Sequence, residues 1–135
     1  MTDQDTDPLS IEFHVTRDMV ESFARLTGDY NSMHMNPEVA RRSRFRRTIV
    51  HGMLPFSFIA RIQDRYGNSH VTFKELSAHF NKPVFIDDTV SLTITCKKKD
   101  SHTFSINARW HRKGTDELLL VARGLYVLLP PKDRD

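Results

Sequence analysis

The chain has 135 residues, 39% of them hydrophobic, and carries a net charge of +3. That length and apolar content suit a single domain with its own core, while no apolar run approaches the roughly 20 residues a membrane helix needs. The mild positive charge comes without an aromatic-studded basic platform, so nucleic acid is not an expected partner. Cys96 is the single cysteine, which excludes an intrachain disulfide and a multi-cysteine zinc cage and fits a buried strand residue in a reducing compartment.

The opening MTDQDTDP has neither the basic flank nor the apolar stretch of a secretion signal, so residues 1–9 read as a disordered tail and the cytoplasm as the default location. Residues 10–130 read as the domain, and 131–135 as a polar C-terminal tail. Ile11 and Phe13 alternate with polar neighbours as a short strand does. Thr16 then has the character of a helix N-cap, with Asp18 in the first turn and Val15 and Val20 at the spacing of a hydrophobic staple. Met19, Val20, Phe23 and Leu26 form the expected buried stripe, and Gly28 the left-handed stop. Asn36 and Pro37 mark a second helix start.

From Ile49 to Ile62 the text IVHGMLPFSFIARI is apolar nearly all round, so the helix it predicts must be buried. Pro55 is tolerated in a first turn, which sets the start near His51 and Gly52; Gly67 is the expected stop. Val71 and Phe73 then alternate in one phase and Leu76, Ala78 and Phe80 in the other, predicting a bulge within one strand. Val90 to Cys96 and Phe104 to Trp110 give two further strands, and RKGTDE a hairpin turn. The last strand, Leu118 to Leu129, is apolar on both faces and should be interior to the sheet or covered by a partner. Helices followed by a run of antiparallel strands make an α+β domain, with a sheet wrapped round a buried helix.

The stretch GDYNSMHMNPE, residues 28–38, presents an acid and a histidine on a short connector pinned by helix caps at both ends. Such pinning holds two side chains in fixed positions, as paired acid–base chemistry requires. FARLTGDYNSMH resembles the hydratase-2 signature of the MaoC-like, (R)-specific enoyl-CoA hydratase family. IVHGM resembles that family's second signature, and HFNKPVFIDDTV its strand with an acid-threonine turn. The resemblance implies a hot-dog fold: one sheet wrapped around a long central helix, with two protomers pairing their sheets. It also implies a lyase that interconverts trans-2-enoyl and (R)-3-hydroxyacyl thioesters of coenzyme A or a carrier protein, with no metal or other cofactor.

Carried over residue by residue, the resemblance makes Asp29 and His34 the acid–base pair and Gly52 the donor of a backbone N–H to the thioester carbonyl. Asn31 matches the motif amide, and His51 supports the helix start. Ser32 stands where the signature usually has proline, and Asp87 where the strand motif commonly has glycine. Arg44, Arg46 and Arg47, in a cluster with Arg41 and Arg42, are candidates for substrate phosphates or an acidic carrier protein. Phe56 is a candidate for the acyl pocket. The competing readings are a hot-dog thioesterase and a noncatalytic acyl-thioester-binding subunit; both the acid and the histidine are present, which favours the hydratase.

Overall fold

The computed structural model describes residues 7–131. Most of the two expected tails lies outside them, although Leu9 already pairs with Ile94 in the sheet. Strand β1 (Leu9–His14) leads into helix α1 (Arg17–Thr27), a single turn α2 (Ser32–Met35), α3 (Pro37–Arg41), α4 (Met53–Ser57) and a 3₁₀ segment (Phe58–Arg65). Strands β2 (His70–Phe80), β3 (Thr89–Lys98), β4 (Thr103–Arg112) and β5 (Leu118–Leu129) follow. All five strands join one antiparallel sheet in the order β1-β3-β4-β5-β2.

The local signals for α1 are realised closely. Thr16 accepts from Met19 N at 3.2 Å, the Thr16 N–H meets Met19 Sδ at 3.4 Å, and Val15 and Val20 are both buried. Gly28 closes the helix at φ 80°, its N–H reaching the Ala24 carbonyl. Leu26 departs from expectation and is 84% exposed. The buried face runs through Val20 and Ala24, one turn apart, and Leu26 falls off that line at 3.6 residues per turn.

The apolar stretch is less regular than its sequence suggests. It begins at Gly52 as expected, but only Met53–Ser57 is α-helical before the chain tightens into the 3₁₀ segment. Leu54, Pro55, Ile59 and Ile62 are buried, whereas Met53 and Ala60 face outward. An apolar-all-round composition predicted full enclosure; within one chain the sheet covers a single side. Trp110 of β4 fixes this segment from beneath, fully buried, with Nε1 donating to the Pro55 carbonyl at 2.8 Å. Phe13 stacks on Phe58 with centroids 3.9 Å apart, tying β1 to the same segment.

The phase change in β2 is a bulge between Phe73 and Glu75. Opposite it lies Gly124 of β5, where a Cβ would overlap the Glu75 carbonyl oxygen, so the bulge requires a residue without a side chain there. β5 is interior to the sheet, between β4 and β2, the first of the two placements expected for it. Cys96 is buried, and that burial raises its thiol pKa. The neighbouring Tyr126 phenol, bonded to Tyr66 at 2.6 Å, is likewise raised mainly by burial. Neither group ionises in the physiological range.

Candidate active site

The two signature segments are brought together by main-chain pairing. Ile49 N donates to the Met33 carbonyl at 3.1 Å, and His34 Nδ1 donates to the Ile49 carbonyl at 2.8 Å. On its other side the segment bonds to the loop before β3, with Val50 N on the Val84 carbonyl at 2.7 Å. The first turn of α4 thus starts beside the Asp29–His34 connector.

Within that connector the sequence builds successive polar turns. The Asn31 N–H donates to Asp29 Oδ1 at 3.2 Å, and Asn31 Oδ1 caps α2 by accepting from Met33 N at 3.0 Å. Asn31 therefore ties the turn through its oxygen. Ser32 opens α2, at the first helical position, where a proline is equally at home; serine there keeps the turn. Asn36 caps α3 as expected, accepting from Glu38 N at 3.0 Å.

The Asp29 carboxylate and His34 Nε2 face each other at 3.9 Å, with side chains 50% and 15% exposed. The Ile49 carbonyl only accepts, so Nδ1 of His34 carries the hydrogen, and in the neutral ring Nε2 is the basic nitrogen. A 3.9 Å gap is too long for a direct hydrogen bond, but it lets one water touch both groups. His51 is buried beneath them. Its Nε2 donates to the Asp29 main-chain carbonyl at 2.8 Å, and its ring stacks on His34 with centroids 4.0 Å apart and planes 29° apart.

Asp29, His34 and His51 place potential ligand atoms within 4.8 Å of one another. The Ile49 carbonyl takes Nδ1 of His34 and the Asp29 carbonyl takes Nε2 of His51, so each ring has one nitrogen left, Nε2 of His34 and Nδ1 of His51.

Gly52 immediately precedes α4, and its N–H meets no protein acceptor among the described residues. It forms part of the wall of a cavity of about 470 Å³, together with Arg44, Phe80, Lys82, Val84 and Leu119. A Cβ at Gly52 would lie 2.9 Å from the Phe80 ring, so glycine allows that ring to close over the turn. Asp29 and His34 do not line this cavity; Gly52 does, and so does Ile49, whose main chain bonds both Met33 and His34.

The arginine cluster divides. Arg44 lines the cavity. Arg47 stacks over Phe85 at 4.2 Å and lies 4.0 Å from Asp88. Arg46 is exposed at φ 59°, and Arg41 pairs with Glu38 at 2.7 Å. Phe56 packs toward Trp110, with centroids 6.2 Å apart, and is not part of the cavity wall.

Phe80, read from the sequence only as a strand residue, and Lys82 were not foreseen in the cavity wall. The signal available was HFNKPV itself, where a strand alternation runs out into a proline. Also unforeseen was the Asp88 network. Asp88 accepts from Phe85 N at 2.8 Å and from Arg112, whose guanidinium also bonds Glu117 at 2.9 Å and the Pro83 carbonyl at 3.0 Å. Asp87 beside it sits at φ 75°, the left-handed region that glycine adopts most easily, which explains why a glycine would suit this turn.

A sheet wrapped around a central helical segment, with an acid and a histidine held beside that segment's first turn, defines a hot-dog protein with a candidate acid–base site. The family model described as "MaoC like domain" matches residues 2–117, and the chain belongs to that family. It is 31% identical over 99 residues to the (R)-specific enoyl-CoA hydratase of Aeromonas caviae, covering 70% of this chain and 73% of that one. It is 35% identical over 71 residues to a mitochondrial 3-hydroxyacyl-[acyl-carrier-protein] dehydratase of Arabidopsis thaliana. That match covers 53% of this chain but only 42% of the plant protein. The solved (R)-hydratase from A. caviae superposes with a TM-score of 0.79 at 25% identity, over 93% of this chain and 96% of that chain.

Proposed function

We propose that this protein adds water to trans-2-enoyl thioesters, giving (R)-3-hydroxyacyl thioesters, and catalyses the reverse elimination. The observation that carries this reading is the Asp29–His34 pair at 3.9 Å, which leaves room for one shared water. In the forward direction the water oxygen bonds to C3 as the pair removes its proton, and a proton is delivered to C2. The negative charge that builds on the thioester oxygen in between is met by the Gly52 N–H at the start of α4. Asp29 and His34 thus act as acid and base, and Gly52 as the oxyanion donor.

The test is hydration of crotonyl-CoA and of a longer enoyl-CoA, followed as loss of the conjugated thioester absorbance, with the configuration of the alcohol determined. An (R)-alcohol is expected. Release of free thiol without hydration would instead select the thioesterase reading, and binding without turnover the noncatalytic subunit.

Arg44 is the cluster's contribution to binding, because it lines the cavity beside Gly52 and suits the phosphates of coenzyme A or of a carrier protein's prosthetic group. Arg44→Glu is expected to raise KM severalfold with kcat nearly unchanged, the pattern of lost ground-state binding. An unchanged KM for both coenzyme A and carrier-protein thioesters would remove Arg44 from this role.

The working assembly is a homodimer. β2 is an edge strand, with Phe80 at its end 50% exposed, and an unpaired edge invites a second strand. Sedimentation at twice the 15.7 kDa chain mass is the expected result, and a monomer at assay concentrations would refute it. Among the described residues no helix is long and apolar enough to cross a membrane.

A further inference from the structure

His51 is buried, yet among the described residues its Nδ1 has no hydrogen-bond partner. Polar atoms buried in this way are costly, so each calls for an explanation. The rest of the side chain is fully committed. Nε2–H donates to the Asp29 carbonyl at 2.8 Å, one face of the ring lies against His34 at 4.0 Å, and Phe23 packs on it at 5.0 Å. Among the hydrogen bonds and ring contacts of the described residues, His51 is the one side chain that joins the main chain of Asp29 to the ring of His34. A residue that only supported the start of α4 would need neither contact.

We infer that His51 is a positioning residue, which sets the acid and the histidine of the site relative to each other. The two contacts act on different coordinates. The Nε2–H bond fixes the carbonyl of Asp29 and with it the direction in which the carboxylate leaves the chain. The stacked ring supports His34 from one side, while the Ile49 carbonyl holds its Nδ1. Together they hold the 3.9 Å separation. The unpartnered Nδ1 fits this role: the Asp29 carbonyl demands the Nε2–H tautomer, which leaves Nδ1 bare, and ring placement takes precedence over its satisfaction. Misplacing reacting groups by about 1 Å can cost 10²-fold in rate, so His51 should act on turnover more than on affinity.

This inference rests on the hydration reading, and two substitutions separate its contacts. His51→Phe keeps an aromatic ring against His34 but has no donor for the Asp29 carbonyl; His51→Gln keeps a donor at a similar reach but no ring. His51→Phe should lower kcat by about 10- to 100-fold with KM changed less than about threefold, and His51→Gln should recover a substantial part of the loss. Backbone ¹⁵N relaxation supplies a readout independent of turnover. In His51→Phe the amides of Asp29, Tyr30 and Asn31 should fall from rigid order parameters near 0.85 toward 0.6, while β3 and β4 stay rigid. His51→Gln should keep them near the wild-type values. Turn amides as rigid in His51→Phe as in the wild type would overturn the inference, as would wild-type kcat in that variant. Loss of turnover that merely followed the fraction folded, equal in both variants, would leave His51 a packing residue and overturn it too. A wild type inactive on every thioester would instead refute the hydration reading, and the relaxation data would still decide for or against His51.

Discussion

Asp29→Asn is expected to lower kcat for enoyl-thioester hydration by about 10²- to 10⁴-fold, the range that general acid–base assistance supplies. The substitution is nearly isosteric and keeps an oxygen able to accept the Asn31 N–H, which Asp29 Oδ1 does at 3.2 Å. Because the side chain is half exposed, stability should change by less than about 0.5 kcal/mol, as at most surface positions. His34→Ala should show a comparable kinetic loss, but it also strips the Ile49 carbonyl of its 2.8 Å donor. An orphaned carbonyl costs about 1–3 kcal/mol. His34→Asn is the cleaner variant, since its amide can still donate toward Ile49 while providing no basic nitrogen. Either folded variant retaining more than about a tenth of wild-type kcat would be incompatible with the pair as acid and base.

Trp110→Ala should be the most damaging core substitution for stability, costing about 3–5 kcal/mol, a large part of the 5–15 kcal/mol typical of a domain. Trp110 is fully buried and bonds the Pro55 carbonyl at 2.8 Å. Removing it opens a cavity and frees an acceptor under α4 at the same time. Trp110→Phe separates the two effects: most of the volume remains, and the lost bond alone should cost about 1–3 kcal/mol. Because Pro55 lies within the turn that Gly52 initiates, the folded Phe variant should also lose kcat/KM. Urea unfolding gives the stabilities, and a change below about 1 kcal/mol for Trp110→Ala would fall outside the range for a buried tryptophan.

Much of this protein was legible as text because the deciding interactions are local. A capping threonine, a glycine at the end of a helix, an asparagine before a proline and a period-two alternation each act within a few residues. Thr16, Gly28, Asn36 and the bulge near Phe73 all stand where those rules put them. The signature segments themselves resembled a known family, and that family is the one the chain belongs to. Leu26 and the central segment read less well. Burial of a helix face depends on what lies opposite, and a run apolar on all sides does not say which side the sheet will take.

The sequence by itself determined which residues could do the chemistry: an acid and a histidine on a connector pinned by caps, and a glycine at a helix start. Only the tertiary structure decided how they meet. Ile49 bonds Met33 and His34 across the turn, His51 reaches back to Asp29, Phe80 closes over Gly52, and Arg44 comes to the cavity while Arg47 is drawn to Phe85 and Asp88. Caps and alternations are paid for within one segment. Those other contacts join residues distant in sequence, and they exist only once the sheet has brought the segments within hydrogen-bonding reach.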